Sequence, residues 1–251
     1  MYPSALSAFQ KWTESLEGRL PYMYLDVDGA VTTGIGNLLD SVSAAQTLPW
    51  KHGATGPKAT PDEIATGWQA VKALQSSKSL GGGNAVFSNA TDLRLSQPDI
   101  DALFSSTLAS FSSTLRQSFP QLDTWPADAQ MGLLGMAWAL GPNFAPQWPK
   151  FTAAMNTSPP SFMTAAAESH ISNGTLSRNA QQLLMFLNAN SVQGNKLDPS
   201  KLYYPQTATP LERLAVTGIA SNVAGSALLA TGGALFLTGY GLRALFRKRR
   251  R

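Results

Sequence analysis

The chain has 251 residues, 43% of them hydrophobic and 14% charged, with a formal net charge of +4 and no cysteine. That balance excludes intrinsic disorder, which needs high charge and low hydrophobicity, and the missing thiols exclude disulfides, thiolate catalysis and Cys-type zinc sites. The charge is also uneven: the terminal RALFRKRRR holds six of the 19 basic residues and no acid, leaving 13 basic against 15 acidic residues elsewhere. A nucleic-acid binder carries its basic surface on the folded domain, so no nucleic-acid partner is expected.

In chain order, Leu6, Phe9, Leu16 and Leu20 space like one side of an amphipathic helix that ends near Leu20-Pro21. The N-terminal segment MYPSALSAFQKWTESLEGRL carries Lys11, Glu14 and Glu17 and has no continuous apolar run, so it does not read as a cleavable signal peptide. YMYLDV then reads as a strand, the following Asp-Gly as a hairpin turn, and AVTTGIG as the returning strand. Residues 40–60 are punctuated by Ser, Gly and Pro and read as a loop. Pro61 with Asp62 and Glu63 behind it marks a helix start. Further helices are expected from Pro98 to about Ser118 and from Pro126 to Leu140, the latter nearly all apolar and stopped by Gly141-Pro142. Helical segments around 159–171 and 177–190 complete the picture. The fold class is α+β, with a small β-hairpin region and a mainly helical lobe over residues 1–205.

A second unit, 206–251, is expected after Tyr204-Pro205. Leu214 to Leu242 contains 29 residues without a formal charge, long enough for a helix to cross a hydrocarbon core of about 30 Å. Gly218, Gly225, Gly232 and Gly239 recur every seven residues, a small-residue stripe of the kind used for helix–helix association in membranes. The basic cluster that follows predicts a cytoplasmic flank. A transmembrane helix is therefore expected here, against the alternatives of a glycine-rich buried helix or a flexible tail.

The chemistry that remains is carboxylate chemistry. His52 and His170 are the only histidines and lie far apart in sequence. Neither a metal site nor a Ser-His-Asp triad is expected, and both read as surface residues. Gly81-Gly82-Gly83 lacks the Lys-Ser/Thr of a phosphate loop and reads as a connector. The six tryptophans read mainly as core or groove wall. Glu17 and Asp26 are nine residues apart, with Thr32 six further on. A hairpin packed beside a helix end would bring these three side chains together, and two carboxylates across a cleft suit glycoside hydrolysis.

The frame around them is more specific than the pair itself. In EGRLPYMYLDVDGAVTTGIGNLL the residues Glu17, Gly18, Leu20, Tyr24, Asp26, Gly29, Thr32, Gly34, Gly36, Leu38 and Leu39 resemble the catalytic region of the phage-type lysozymes, glycoside hydrolase family 24, in identity and spacing. The resemblance implies a lysozyme-like fold without cofactor or metal. Glu17 would be the general acid, with Asp26 and Thr32 holding and activating water at the anomeric carbon. An inverting mechanism would leave a water-sized space between the carboxylates. Gly29 would serve the hairpin turn, Gly34 and Gly36 close backbone approach. Arg178, in SRNA, falls where the family places an arginine that pairs with the catalytic glutamate. The match is close over residues 17–39 and general beyond. Asn37 stands where many members carry histidine, and residues 40–120 look longer than in the family.

The expected activity is that of a muramidase, cleaving the β-1,4 bond between N-acetylmuramic acid and N-acetylglucosamine in peptidoglycan. The expected place is the bacterial inner membrane with the enzyme domain facing the periplasm, or a phage virion. The alternatives are a non-catalytic lysozyme-like module, a lytic transglycosylase, and an endolysin whose tail only perturbs membranes. An antibacterial effector would add an immunity protein as partner, and a phage protein would add virion components.

Overall fold

A computed structural model describes residues 1–76, 85–172 and 174–208. They form two compact units. One comprises Phe9–Ser113, the other Met1–Ala8 together with the described residues of 114–208.

Helix α1 (Pro3–Glu17) buries Ala5, Phe9, Trp12 and Thr13, a stripe at helical spacing. Gly18 ends it with φ 75° and its N–H on the Glu14 carbonyl at 2.9 Å. Leu20, expected to close this helix, therefore starts strand β1 (Leu20–Leu25) instead. In the smaller unit β1 pairs antiparallel with β2 (Val31–Gly34), which pairs with β3 (Asn37–Leu38). The β1–β2 register slips between Leu20 and Tyr24, and Thr33 Oγ1 donates to the Tyr22 carbonyl at 3.1 Å within the slip.

The expected loop at 40–60 contains two short elements. Helix α2 (Val42–Gln46) is capped by Ser41, whose hydroxyl accepts from Ala44 N–H at 3.2 Å. Strand β4 (Lys51–His52) pairs with β5 (Leu93–Arg94) across 40 residues of chain. Elements of two to five residues are too short for a periodicity to register. Helix α3 (Pro61–Ala73) begins as expected, with a full capping box between Thr60 and Glu63. Helix α4 (Ala85–Ala90) packs on β1, and α5 (Gln97–Ser118) completes this part, with Phe9 stacking on Trp12 and lying 6.0 Å from Phe104.

The larger unit is helical. Helix α6 (Ala127–Leu140) is buried from Ala127 to Trp138 and stops at Gly141, φ 81°. Helices α7 (Pro149–Met155) and α8 (Phe162–Glu168) lead to α9 (Leu176–Gly194), which packs against both α6 and α8. A Cβ on Gly132 would stand 3.1 Å from the Phe186 ring, so only glycine lets α6 and α9 approach this closely. Phe119, Trp125, Phe144, Phe151, Phe162 and Phe186 form a connected ring cluster with centroids 5.3–6.3 Å apart, each pair contributing about 0.5–1.5 kcal/mol beyond area burial.

Asp128 lies fully buried at the start of α6. Its carboxylate accepts from the N–H groups of Tyr203 and Tyr204 and from Asn188 Nδ2, all at 2.9 Å. Asn188 also donates to the Gln206 carbonyl and accepts from Ala208 N–H. The segment 203–208 is thereby held to α6 and α9, past the boundary expected at residue 205.

Among the described residues no helix is long and apolar enough to cross a membrane. The transmembrane segment expected at 214–242, with Gly218, Gly225, Gly232 and Gly239, lies outside the described residues, as does Gly81–Gly83.

Candidate active site

Glu17, Asp26 and Thr32 all belong to the smaller unit. Glu17 is the last residue of α1, and this helix end is tied down on both sides. Arg19 Nε meets Glu14 at 3.2 Å, and Arg19 Nη2 donates to Asp101 of α5 at 2.7 Å. Asp101 also accepts from Gln10 of α1. The Arg19 hydrogen bond holds the Asp101 carboxyl below its ordinary range.

Asp26 stands immediately after β1 and builds the hairpin turn. Its Oδ1 accepts from Asp28 N–H at 3.0 Å and from Ala30 N–H at 2.8 Å, while its own N–H bonds the Ala30 carbonyl. Oδ2 takes no hydrogen bond from the described residues. One oxygen is thus fixed by the backbone and the other is open for chemistry. The turn is pinned from outside: Lys72 of α3 donates to the Gly29 carbonyl at 2.7 Å. Gly29 has φ 79°, and a Cβ there would stand 2.8 Å from the Gln75 amide. Glycine is required for both reasons.

Thr32 is buried on β2, and its hydroxyl donates to the Ala30 carbonyl at 3.3 Å. Its cross-strand partner is Tyr24, 5% exposed. Opposite residues in an antiparallel pair share a face, and positions two apart along a strand share one too. Tyr24 and Thr32 therefore share one side of the hairpin, with Asp26 opening the turn just beyond them. Burial, then the negative charges of Glu17 and Asp26, then Tyr22, push the Tyr24 phenol well above its ordinary range.

The glycines of the motif fall into place around the same acid. Gly36 (φ 71°) faces Glu17: a Cβ on it would stand 3.0–3.2 Å from Cγ, Cδ and Oε2. Gly34 (φ 64°) faces the Asn37 side chain and Ile100 of α5. Asn37, where histidine was the family expectation, is buried, with Oδ1 accepting from Ile35 N–H and Nδ2 donating to Thr107. It braces the β2–β3 turn. Gly36→Ala is expected to push the Glu17 carboxylate aside and to strain a left-handed backbone. The strain costs about 1–2 kcal/mol; if Glu17 is the general acid that the resemblance implies, its displacement lowers turnover by roughly 10²-fold. Kinetics and thermal unfolding of the same variant check this, the activity loss exceeding what the shift in midpoint accounts for.

Arg178 belongs to the other unit, buried in the first turn of α9. Its backbone N–H bonds the capping hydroxyl of Thr175, and Nη1 reaches the Gly135 carbonyl at 3.4 Å. The tryptophans follow their sequence reading in part: Trp12, Trp50, Trp125 and Trp138 are buried, and Trp68 donates to the Leu39 carbonyl.

Two features escaped the sequence. Tyr24 was legible as a frame residue, and its place two residues before Asp26 could have marked it as a neighbour of that acid. His52 carried no such signal, because its partners are brought in by folding. Its Nδ1 lies 3.0 Å from Asp92 and its Nε2 3.3 Å from Glu63. With a carboxylate at each ring nitrogen the imidazolium is favoured, and hydrogen bonding to Asp92, then Glu63, raises its pKa. Glu63 is held down to about 2, first by the Thr60 N–H and hydroxyl and then by His52. The contribution of His52 is fully present below its unfolded value of 6.5 and is lost as pH rises through the raised folded value. That of Glu63 is present above 4.5 and fades as pH falls toward 2. An NMR titration should find His52 titrating above 6.5, and His52→Asn should flatten the fall of thermal midpoint on the alkaline side. A midpoint at or below 6.5 contradicts the clamp.

Among the described residues no group of three His, Asp or Glu is arranged to hold a metal ion. Comparison with protein-family models, curated proteins and solved structures finds no match to this chain.

Proposed function

We propose that this chain is a peptidoglycan hydrolase, a muramidase that cuts the β-1,4 bond between N-acetylmuramic acid and N-acetylglucosamine. The observation that carries the reading is the meeting of Glu17 with Gly36. These two elements of the lysozyme-like motif, separated by the whole hairpin, come into contact distance with the glycine beneath the acid. The motif is thus a spatial arrangement as well as a spacing.

Glu17 gives its proton to the glycosidic oxygen as the bond breaks. Asp26 keeps Oδ1 on the turn amides and uses Oδ2 to orient and deprotonate the attacking water. Thr32 lines the face of the hairpin that it shares with Tyr24.

Incubating the full chain with purified sacculi tests the reading. Release of soluble glycan fragments supports it. A chain that binds sacculi and releases nothing is the non-catalytic module, and the hydrolase reading then falls.

The uncharged run 214–242 and the basic cluster behind it support a membrane anchor, with the hydrolase on the periplasmic side and the seven-residue glycine stripe available for self-association. Carbonate extraction separates a spanning helix, which stays with the pellet, from a surface-bound one. Phage virion components and an immunity protein are the two partner classes this arrangement fits.

A further inference from the structure

We propose that Tyr24 is a positioning residue of this site, its hydroxyl holding the water that occupies the space between Glu17 and Asp26. The proposal rests on the hydrolase reading and goes beyond it, because the motif assigns the water to Asp26 and Thr32 alone.

The argument is one of donors and acceptors. An attacking water needs an acceptor for its proton and further polar partners to fix its orientation. Asp26 supplies the acceptor through Oδ2, its Oδ1 being committed to Asp28 and Ala30. Thr32 commits its own hydroxyl proton to the Ala30 carbonyl. It can accept from water but has no proton to offer it. The Tyr24 hydroxyl has no hydrogen-bond partner among the described residues, although its ring is 5% exposed and wedged opposite Thr32. A buried ring that ends in an unused O–H, on the same face as Thr32 and next to the turn that Asp26 opens, places a donor where the water lacks one.

The surroundings keep that donor in one state. Burial and the two flanking carboxylates hold the phenol protonated at any pH at which the protein works. A neutral hydroxyl beside Thr32 adds no further negative charge to the site. A lysine there would pair with both acids and quench them. A phenylalanine would leave the water with acceptors only and no donor.

Tyr24→Phe in the full chain is the test, because it keeps the ring and removes only the hydroxyl. With purified peptidoglycan as substrate, kcat is expected to fall roughly 10- to 100-fold with KM unchanged, and the thermal midpoint to stay at its wild-type value. A variant with wild-type kcat overturns the proposal. So does a variant whose activity and thermal midpoint fall together, since the hydroxyl would then serve the fold. If wild-type protein releases nothing from peptidoglycan, the hydrolase reading has failed and takes this proposal with it. An active wild type with an equally active Tyr24→Phe removes this proposal alone.

Discussion

Glu17→Gln is expected to lower peptidoglycan cleavage by about 10²- to 10⁴-fold, the range a positioned general acid supplies. Glutamine matches glutamate in size, so the contact with Gly36 and the end of α1 survive the change. It cannot give up a proton to the leaving oxygen. The fold should therefore be intact and the chemistry gone. Two readings on one sample check this: release of soluble fragments from sacculi and the thermal unfolding midpoint. Full activity in Glu17→Gln removes the acid from the mechanism. A large fall in midpoint would mean instead that Glu17 is structural.

Asp128→Ala should be the most damaging single change to the fold. Asp128 is fully buried, and three donors converge on its carboxylate: Tyr203 N–H, Tyr204 N–H and Asn188 Nδ2. Removing the acceptor leaves the buried Asn188 amide and the half-buried Tyr203 and Tyr204 N–H groups without this partner. Breaking a buried charged network in this way costs about 3–5 kcal/mol, which for a domain of this size lowers the thermal midpoint by roughly 6–20 °C. The same change frees the segment 203–208 from α6 and α9. Burial raises the Asp128 carboxyl, with the hydrogen bonds from Tyr203, Asn188 and Tyr204 pulling it back. Desolvation is thus the larger effect, and the carboxylate is tolerated because three donors meet it. Hydrogen exchange at Tyr203 and Tyr204 reports the release directly. Protection equal to wild type there would contradict the network's role.

How much of this was legible in the sequence depends on the range of the interactions. Elements carried by a long period or a local cap could be read: α3 from Thr60-Pro61 and Glu63, α6 from its apolar run and Gly141, the hairpin from Asp-Gly between alternating strands. Elements that exist only through distant pairing could not be read. Strand β4 forms because Leu93–Arg94 lies beside it, and nothing within residues 40–60 announces that partner. The end of α1 was misplaced for a local reason, since Gly18 takes a left-handed conformation and the apolar periodicity runs on past it to Leu20.

The site divides along the same line. Glu17, Asp26, Thr32 and the glycines were legible because they share one hairpin and one helix end. The position of Gly36 against the Glu17 side chain follows from that local frame. The bracing of the frame was not legible. Arg19 reaches Asp101, Asn37 reaches Thr107, and Lys72 reaches the Gly29 carbonyl, each across tens of residues. These contacts brace the helix end that carries Glu17 and the turn that carries Asp26. The bracing role of Asn37 is likewise visible only once Thr107 is seen beside it.

The central claim is that water is added across a glycosidic bond, with Glu17 as the acid and Asp26 directing the water. Mass spectrometry of peptidoglycan digested by the full chain in ¹⁸O-labelled water tests it most directly. The account predicts fragments ending in reducing N-acetylmuramic acid that carry one ¹⁸O, and their loss in Glu17→Gln. Fragments ending in 1,6-anhydro-muramic acid without the label would contradict it, since the bond would then have been broken without water.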